Sequence, residues 1–340
     1  MKQFVKTAAT AATLIFIAFN GPFSAALSFR TDKNWHPLST LFERPVQNLD
    51  SDSNASLSLF WWNIRSGELN TSNEGRPIDE NLKALILSPL SPDMIIFGEY
   101  SSGSVGADVI ELLKTRYPFY DSHFYNQKCL GEGVAVFSRM PITLTSESQL
   151  RWKPENPSPK FVKRWIDGMQ TECFERVYLR YRVQLSKDKY VYVVPVHLAE
   201  PWNQLSISYG GGIKGTFEAM KEIFFGNNNP YMIQLRELLG HVTTELDLTK
   251  SSLVMMGDFN APLSFAGFPS QLASLMPKVL VDAMAGVNTP SFPAVSSPPI
   301  ENFPHFKVKR LKIDHSFQTL GNKTLRAAVL PLKGSDHYPI

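Results

Sequence analysis

The sequence predicts an α+β chain in which two β-sheets pack face to face with helices on the outside. Three observations lead there. Short apolar runs of strand length recur from residue 57 onward, each bounded by polar or turn-forming residues. One pair of runs has the signature of an antiparallel hairpin. Residues 177–185 (VYLRYRVQL) alternate as a half-buried strand does, and Lys187-Asp188-Lys189 supplies a turn into residues 190–196. Segments with apolar residues at helical spacing stand between the strands. Of the 340 residues, 43% are hydrophobic and 12% aromatic, a composition that excludes a disordered chain.

Residues 1–26 read as a secretory signal peptide. Lys2 and Lys6 give a positive start, and residues 8–19 (AATAATLIFIAF) form an apolar stretch. Asn20, Gly21 and Pro22 break it, and Ser24, Ala25 and Ala26 offer a cleavage site. The stretch is shorter than the roughly 20 residues that span a bilayer. No other segment is long and apolar enough, so the mature chain is expected to lack a transmembrane span and to reside in the periplasm or outside the cell. An uncleaved anchor is the alternative. Residues 27–56 form a polar arm, and residues 57–340 form one domain. Export permits a disulfide between Cys129 and Cys173, the chain's two cysteines.

Within the domain, residues 56–64 predict a buried strand holding two tryptophans. Residues 78–87 predict a helix with Leu82, Leu85 and Ile86 on one face, and residues 94–98 a short buried strand. Residues 106–116 predict a helix with Val109, Leu112 and Leu113 inward, and residues 133–137 a strand. After the hairpin, residues 231–247 carry the clearest helical pattern and residues 253–256 another buried strand. Residues 306–313 and 325–330 are expected to be the last strands, and residues 199–229 and 287–305 irregular loops.

The ends of the apolar runs carry chemistry. Six runs lead into Asn63, Glu99, His197, Asp258 (with Asn260 two places on), Asp314, and Asp336 with His337. Strands stacked in a core deliver such residues to one rim, where sites are built. Singly, each has a plainer reading as a strand-end or surface group; it is the set that points to metal-assisted phosphoester hydrolysis. Glu99, Asp336 and the Asn63 amide oxygen are hard donors suited to Mg²⁺, with Mn²⁺ as the alternative. Asp258 can take a proton from water, and Asn260 can donate to developing charge. His197 and His337 can donate to phosphate oxygens, and Asp314 can orient one of the rings. The net charge of +3 permits a phosphate-bearing partner. Trp152, Lys153, Lys163, Arg164 and Trp165 mix aromatic and basic groups that suit nucleobases, a lipid interface or simple loop packing.

The motifs WWNIRSG, FGEY, GEGVAVFSRMP, VVPVHL, MMGDFNAP, KIDHSF and GSDHYPI, in this order, resemble those of the endonuclease/exonuclease/phosphatase superfamily, the deoxyribonuclease I-like group, over residues 57–340. The resemblance implies a four-layer αββα sandwich with its site at one edge. It implies that Asn63 and Glu99 bind Mg²⁺ and that Asp336 supports the metal site. It further implies that Asp258 and Asn260 handle the attacking water, that His197 and His337 bind the phosphate, and that Asp314 pairs with His337. The expected activity is that of a phosphodiesterase acting on nucleic acid. A phospholipid phosphodiesterase of the sphingomyelinase kind or a lipid phosphatase is the alternative, and an exported non-catalytic binding module a third reading. The sequence departs from the pattern in three places. Gly98 precedes Glu99 where many relatives have Gln. His315 follows Asp314 where the inositol-phosphatase branch has Arg. The sequence stops three residues past His337, which predicts a short last strand and a loosely held His337.

Overall fold

The computed structural model describes residues 56–67, 76–125, 131–167, 171–199, 226, 228–265, 268–287, 289–292, 312–330, 332 and 334–340. The expected signal peptide, the polar arm through residue 55, and most of both long loops lie outside the described residues. Among the described residues, no helix is long and apolar enough to cross a membrane.

Two large sheets belong to one compact unit, Ala55–Leu263 with Pro269–Ile340. The first has four strands: β1 (Leu59–Asn63), β2 (Met94–Tyr100), β3 (Phe119–Phe124) and β4 (Gly133–Ser138), in the order β1-β2-β4-β3. β1 and β2 run parallel, and the other pairs are antiparallel. The second sheet uses β5 (Ile142–Leu150), β6 (Arg176–Ser186), β7 (Lys189–His197), β8 (Leu253–Asp258), β11 (Leu280–Asp282) and β12 (Asp314–Thr319). Its order is β11-β12-β8-β7-β6-β5, with β7 and β8 parallel and the rest antiparallel. The two-residue strands β9 (Ser264–Phe265) and β10 (Phe268–Pro269) pair as a separate ribbon.

The alternation of side chains along a strand explains the layering. Trp61, Ile96, Val134 and Val136 of the first sheet meet Leu179, Tyr181, Val183, Val193 and Met256 of the second in one core. Phe60, Trp62, Ile95 and Phe97, on the opposite face, are also buried. Helices α1 (Pro77–Leu87) and α2 (Ala107–Arg116) each present a buried apolar stripe, Ile78, Leu82, Leu85 and Ile86 on α1 and Val109 and Leu113 on α2. On the far side of the second sheet, α4 (Pro230–Glu245) sets Tyr231, Leu235, Leu238 and Val242 against Tyr178, Val194, Val196, Met255 and Phe317. The result is the expected sandwich of two packed mixed sheets with helices outside. The shorter helices α3 (Pro159–Trp165) and α5 (Gln271–Leu275) complete the regular structure with a 3₁₀ turn at Thr171–Phe174.

Several expectations are corrected. The 306–313 strand falls mostly outside the described residues; Lys312 and Ile313 are not in a strand, and Asp314 opens β12 instead of ending its predecessor. Residues 325–330 form no strand; the last of them bonds to the closing segment of the chain. There Leu330 N–H donates to Pro339 O and Leu332 N–H to Leu330 O. His337 is not loosely held. Ile340 pairs with Trp61 in both directions, at 2.8 and 3.0 Å, so the final residues are stitched to β1. β3, β5, β11, α3 and α5 carry no sequence expectation. The Trp152/Trp165 group is packing: both rings join Phe161 and Phe174 in a satellite cluster. Cys173 is disulfide-bonded; the other cysteine, Cys129, lies outside the described residues.

Candidate active site

Register brings the predicted residues together. His197 ends β7 beside Asp258, which ends the parallel β8. The antiparallel β12 begins at Asp314, directly opposite Asp258. In the facing sheet, Asn63 ends β1 opposite Gly98, one residue before Glu99. The β2–β4 register shifts between Phe97 and Tyr100, a bulge that re-aims Glu99. Glu99 and Asn260 hold left-handed backbone, at φ 48° and 51°. Side chains with a Cβ rarely adopt it, and it is concentrated where geometry serves a site.

One hydrogen-bonded network follows. Asn63 Nδ2 donates to Glu99 Oε1 at 2.8 Å and to Asp258 Oδ2 at 3.1 Å. The Asn63 Oδ1 accepts from the Arg65 N–H. Asp258 Oδ1 takes the Asn260 N–H at 2.7 Å, and the Asn260 side chain donates to Leu198 O. His337 lies between two acids, with Nδ1 2.8 Å from Asp314 Oδ2 and Nε2 3.5 Å from Asp258 Oδ2. Trp61 Nε1 donates to Asp314 Oδ1 at 3.0 Å, and Trp62 Nε1 to the His337 carbonyl at 3.1 Å. Ser335 Oγ donates to Asn63 O and accepts from His337 N–H, tying the last segment to β1. Asp336 stands at the edge, 3.4 Å from Arg65 Nη1. All eight predicted residues thus gather at one rim of the sandwich.

His197 has a different setting. Its Nδ1 is 2.6 Å from the Tyr125 hydroxyl. Burial first, with Glu132, Glu99 and Asp258 behind it, drives the phenol pKa up, so it remains an O–H donor. Nδ1 therefore accepts, and the ring proton sits on Nε2. Nε2 is 3.4 Å from Glu99 Oε1 but not aligned as a hydrogen bond, and it is buried without a hydrogen-bond partner. Burial, then the nearby Arg176 and His337 charges, hold His197 well below the usual imidazole range, so its ring is neutral.

The carboxylates are split by environment. Burial, then Glu132 and Asp336, push Glu99 well above the usual carboxylate range. Burial raises Asp258 to about 7, with the His337 charge opposing and Asp314 assisting. Burial also acts to raise Asp314, but the His337 charge and hydrogen bonds from His337, Ser291 and Trp61 outweigh it and hold this acid low. Burial disfavours His337 as a cation, yet Asp314 and Asp258 win and hold it well above the ordinary value.

These residues fit a divalent cation. Glu99, Asp258 and His197 offer ligand atoms within 4.8 Å of one another, as do Asp258, Asp314 and His337. The second group is already balanced by the His337 imidazolium. The first contains a desolvated acid, so a cation would fit on the Glu99 side, where Asn63 and Asp336 also stand, while the proton on Nε2 makes His197 a donor there and not a ligand.

The sequence pattern assigns no role to Trp61, Trp62, Arg65, Glu132 or Ser335, although all lie inside or beside the motifs. Tyr125 and Arg176 carry no sequence signal; Arg176 is buried over the Tyr125 ring. Arg139, Tyr100 and His315 also stand within the motifs, and their roles are structural. Arg139 bonds Ser91 and covers Tyr117, Tyr100 stacks on Phe97, and His315 is buried against Ala261 O. His123 and His241 pair with surface acids, and His36 and His305 lie outside the described residues.

Solved structures share the fold. An endonuclease/exonuclease/phosphatase family protein from Bacteroides thetaiotaomicron superposes with a TM-score of 0.50 at 15% identity, covering 83% of this chain and 95% of that one. A mannosyl-6-phosphatase from Bacteroides thetaiotaomicron VPI-5482 gives 0.50 at 15% identity, covering 84% and 97%. No curated protein sequence matches. With a family model matching residues 60–337, from β1 through the His337 of the paired acids, the chain belongs to the Endonuclease/Exonuclease/phosphatase family, whose members are metal-dependent phosphoric ester hydrolases.

Proposed function

We propose that this chain is an exported, Mg²⁺-dependent phosphodiesterase that cuts nucleic acid. One observation carries the reading. Two buried acids hold His337 as a cation, while a third, half-buried acid, Glu99, faces the neutral His197 across the same rim. A charged ring to stabilise a phosphate, a carboxylate to take a proton from water and a second carboxylate to hold a cation therefore meet at one rim.

Glu99 would hold the cation, with Asn63 and Asp336 beside it. When bound, it polarises a phosphate oxygen and offsets the charge that develops there. Asp258, poised near neutrality, takes a proton from the attacking water. Asn260 fixes the Asp258 carboxylate through its backbone N–H. His337 donates from its charged ring to a non-bridging oxygen, and Asp314 sets its orientation. His197 adds a second donor through the Nε2 proton that Tyr125 enforces. The new bond joins water oxygen to phosphorus, the bond to the leaving oxygen breaks, and that oxygen takes a proton from solvent.

The net charge of +3 supports a polyanionic substrate. The signal-like N-terminus and a disulfide-bonded Cys173 support an oxidising, exported setting. The test is incubation of the purified protein with plasmid DNA and with RNA, in Mg²⁺ and in EDTA. Cleavage that EDTA abolishes is the expected result. Intact nucleic acid alongside phosphocholine release from sphingomyelin vesicles would move the substrate to lipid. No hydrolysis in either assay would end the proposal.

A further inference from the structure

We infer that Trp61 is a positioning residue for the Asp314–His337 pair, and that Gly98 is the space its indole requires. The inference rests on the phosphodiesterase reading of the site. Trp61 is wholly buried, and its backbone is fixed on both sides, by β2 through the register with Ile96 and by Ile340 through two hydrogen bonds. Its ring therefore has one place to lie, between the sheets. On its own sheet it covers Gly98 so closely that a Cβ there would stand 2.5 Å from Cζ2 and 2.7 Å from Cη2. Toward the other sheet it donates Nε1–H to Asp314 Oδ1 at 3.0 Å. The other Asp314 oxygen receives His337 Nδ1 at 2.8 Å. Trp61 on one oxygen and His337 on the other, with Ser291 as a further partner, fix the plane of the carboxylate, and hence the plane of the imidazole.

A buried indole N–H needs an acceptor, and a main-chain carbonyl is enough for a packing role. Here it meets the one acid that orients the cationic ring. This also accounts for the glycine before Glu99: a larger side chain would occupy the volume that the indole fills.

The test replaces Trp61 by β-(3-benzothienyl)alanine, which keeps the ring shape and removes the donor. With bis(p-nitrophenyl) phosphate and Mg²⁺, kcat is expected to fall about tenfold, the scale of a lost hydrogen bond to a charged group, with KM unchanged. In an Asp314→Asn background the same replacement should change nothing further. Unchanged kcat, or an equal loss in both backgrounds, would overturn the inference. Gly98→Ala should lower kcat in the parent and lower it less beside Trp61→Phe; an equal loss in both would overturn the claim about space. A readout free of activity separates this from the functional reading. The indole N–H proton resonance of Trp61 should move on Asp314→Asn, and a resonance that stays put overturns the coupling. A resonance that moves in a protein cleaving no phosphoester would sink the functional reading alone.

Discussion

In the proposed reaction, Asp258 can serve as the base only because it is buried. An exposed aspartate is ionised far below neutrality and holds protons too weakly to take one from water efficiently. Desolvation brings this one to about 7, while the His337 charge prevents it from rising further. Its activity should therefore appear as pH rises, because the useful form is the carboxylate and protonation at lower pH removes it. In pH–rate profiles, kcat/KM is expected to climb through neutrality. His197, held neutral, adds no step there, and His337, held charged, loses its proton only on the alkaline side. Asp258→Asn keeps the shape and the bond from Asn260 but removes the base. Its kcat should drop about a hundredfold to ten-thousandfold, while circular dichroism stays native. A variant with parental kcat would place the base elsewhere.

At the scale of elements, strands position the chemistry and loops connect them. That is why Asn63, Glu99, His197 and Asp258 are legible in sequence: each follows an apolar run, and a run of that kind stops where the chain reaches the rim. What stays hidden depends on spatial neighbours. β5 alternates among mostly polar residues because one of its faces is solvent-exposed at the sheet edge, so no apolar signal marks it. The left-handed backbone of Glu99 carries no sequence signal, and that of Asn260 only a weak one, since asparagine tolerates this region better than most residues. Asp314 opens a strand where the sequence predicts a strand end, since acids mark both ends alike. The junction of α4 with the second sheet shows how a polar residue can serve a core. Gln234 is wholly buried, accepts from Ala199 N–H at 2.8 Å and donates to Phe174 O at 2.5 Å. Gln234→Leu keeps the volume but leaves two buried main-chain groups unpaired, at about 1–3 kcal/mol each. Urea unfolding should show a loss of roughly 2–6 kcal/mol, and a loss under about 1 kcal/mol would mean those groups find other partners.

For the whole molecule, the site joins distant parts of the chain: β1 near its start, β8 in the middle and the final residues stitched back to Trp61. A ligand bound at such a place bears on the folding of the entire unit. Without a cation, Glu99 is desolvated beside Glu132 and Asp336, and its carboxyl is driven up toward the protonated form. A divalent cation relieves that repulsion and binds the native state alone, so it should raise the thermal midpoint by mass action. The direction with pH follows from the sign of the shift. Because the Glu99 pKa is raised, low pH leaves a proton on the ligand that the cation must displace, and higher pH removes this competition. The Mg²⁺-induced rise in midpoint, followed by differential scanning calorimetry, should be larger at pH 8 than at pH 6. Glu99→Gln is expected to be as stable as the parent without metal, or more so, because it removes one member of a repelling group. The same variant should lose most of the Mg²⁺ effect at both pH values. If Mg²⁺ stabilised Glu99→Gln as much as the parent, the cation would sit elsewhere, and the assignment of Glu99 as its holder would fall while the Asp258–His337–Asp314 arrangement stood.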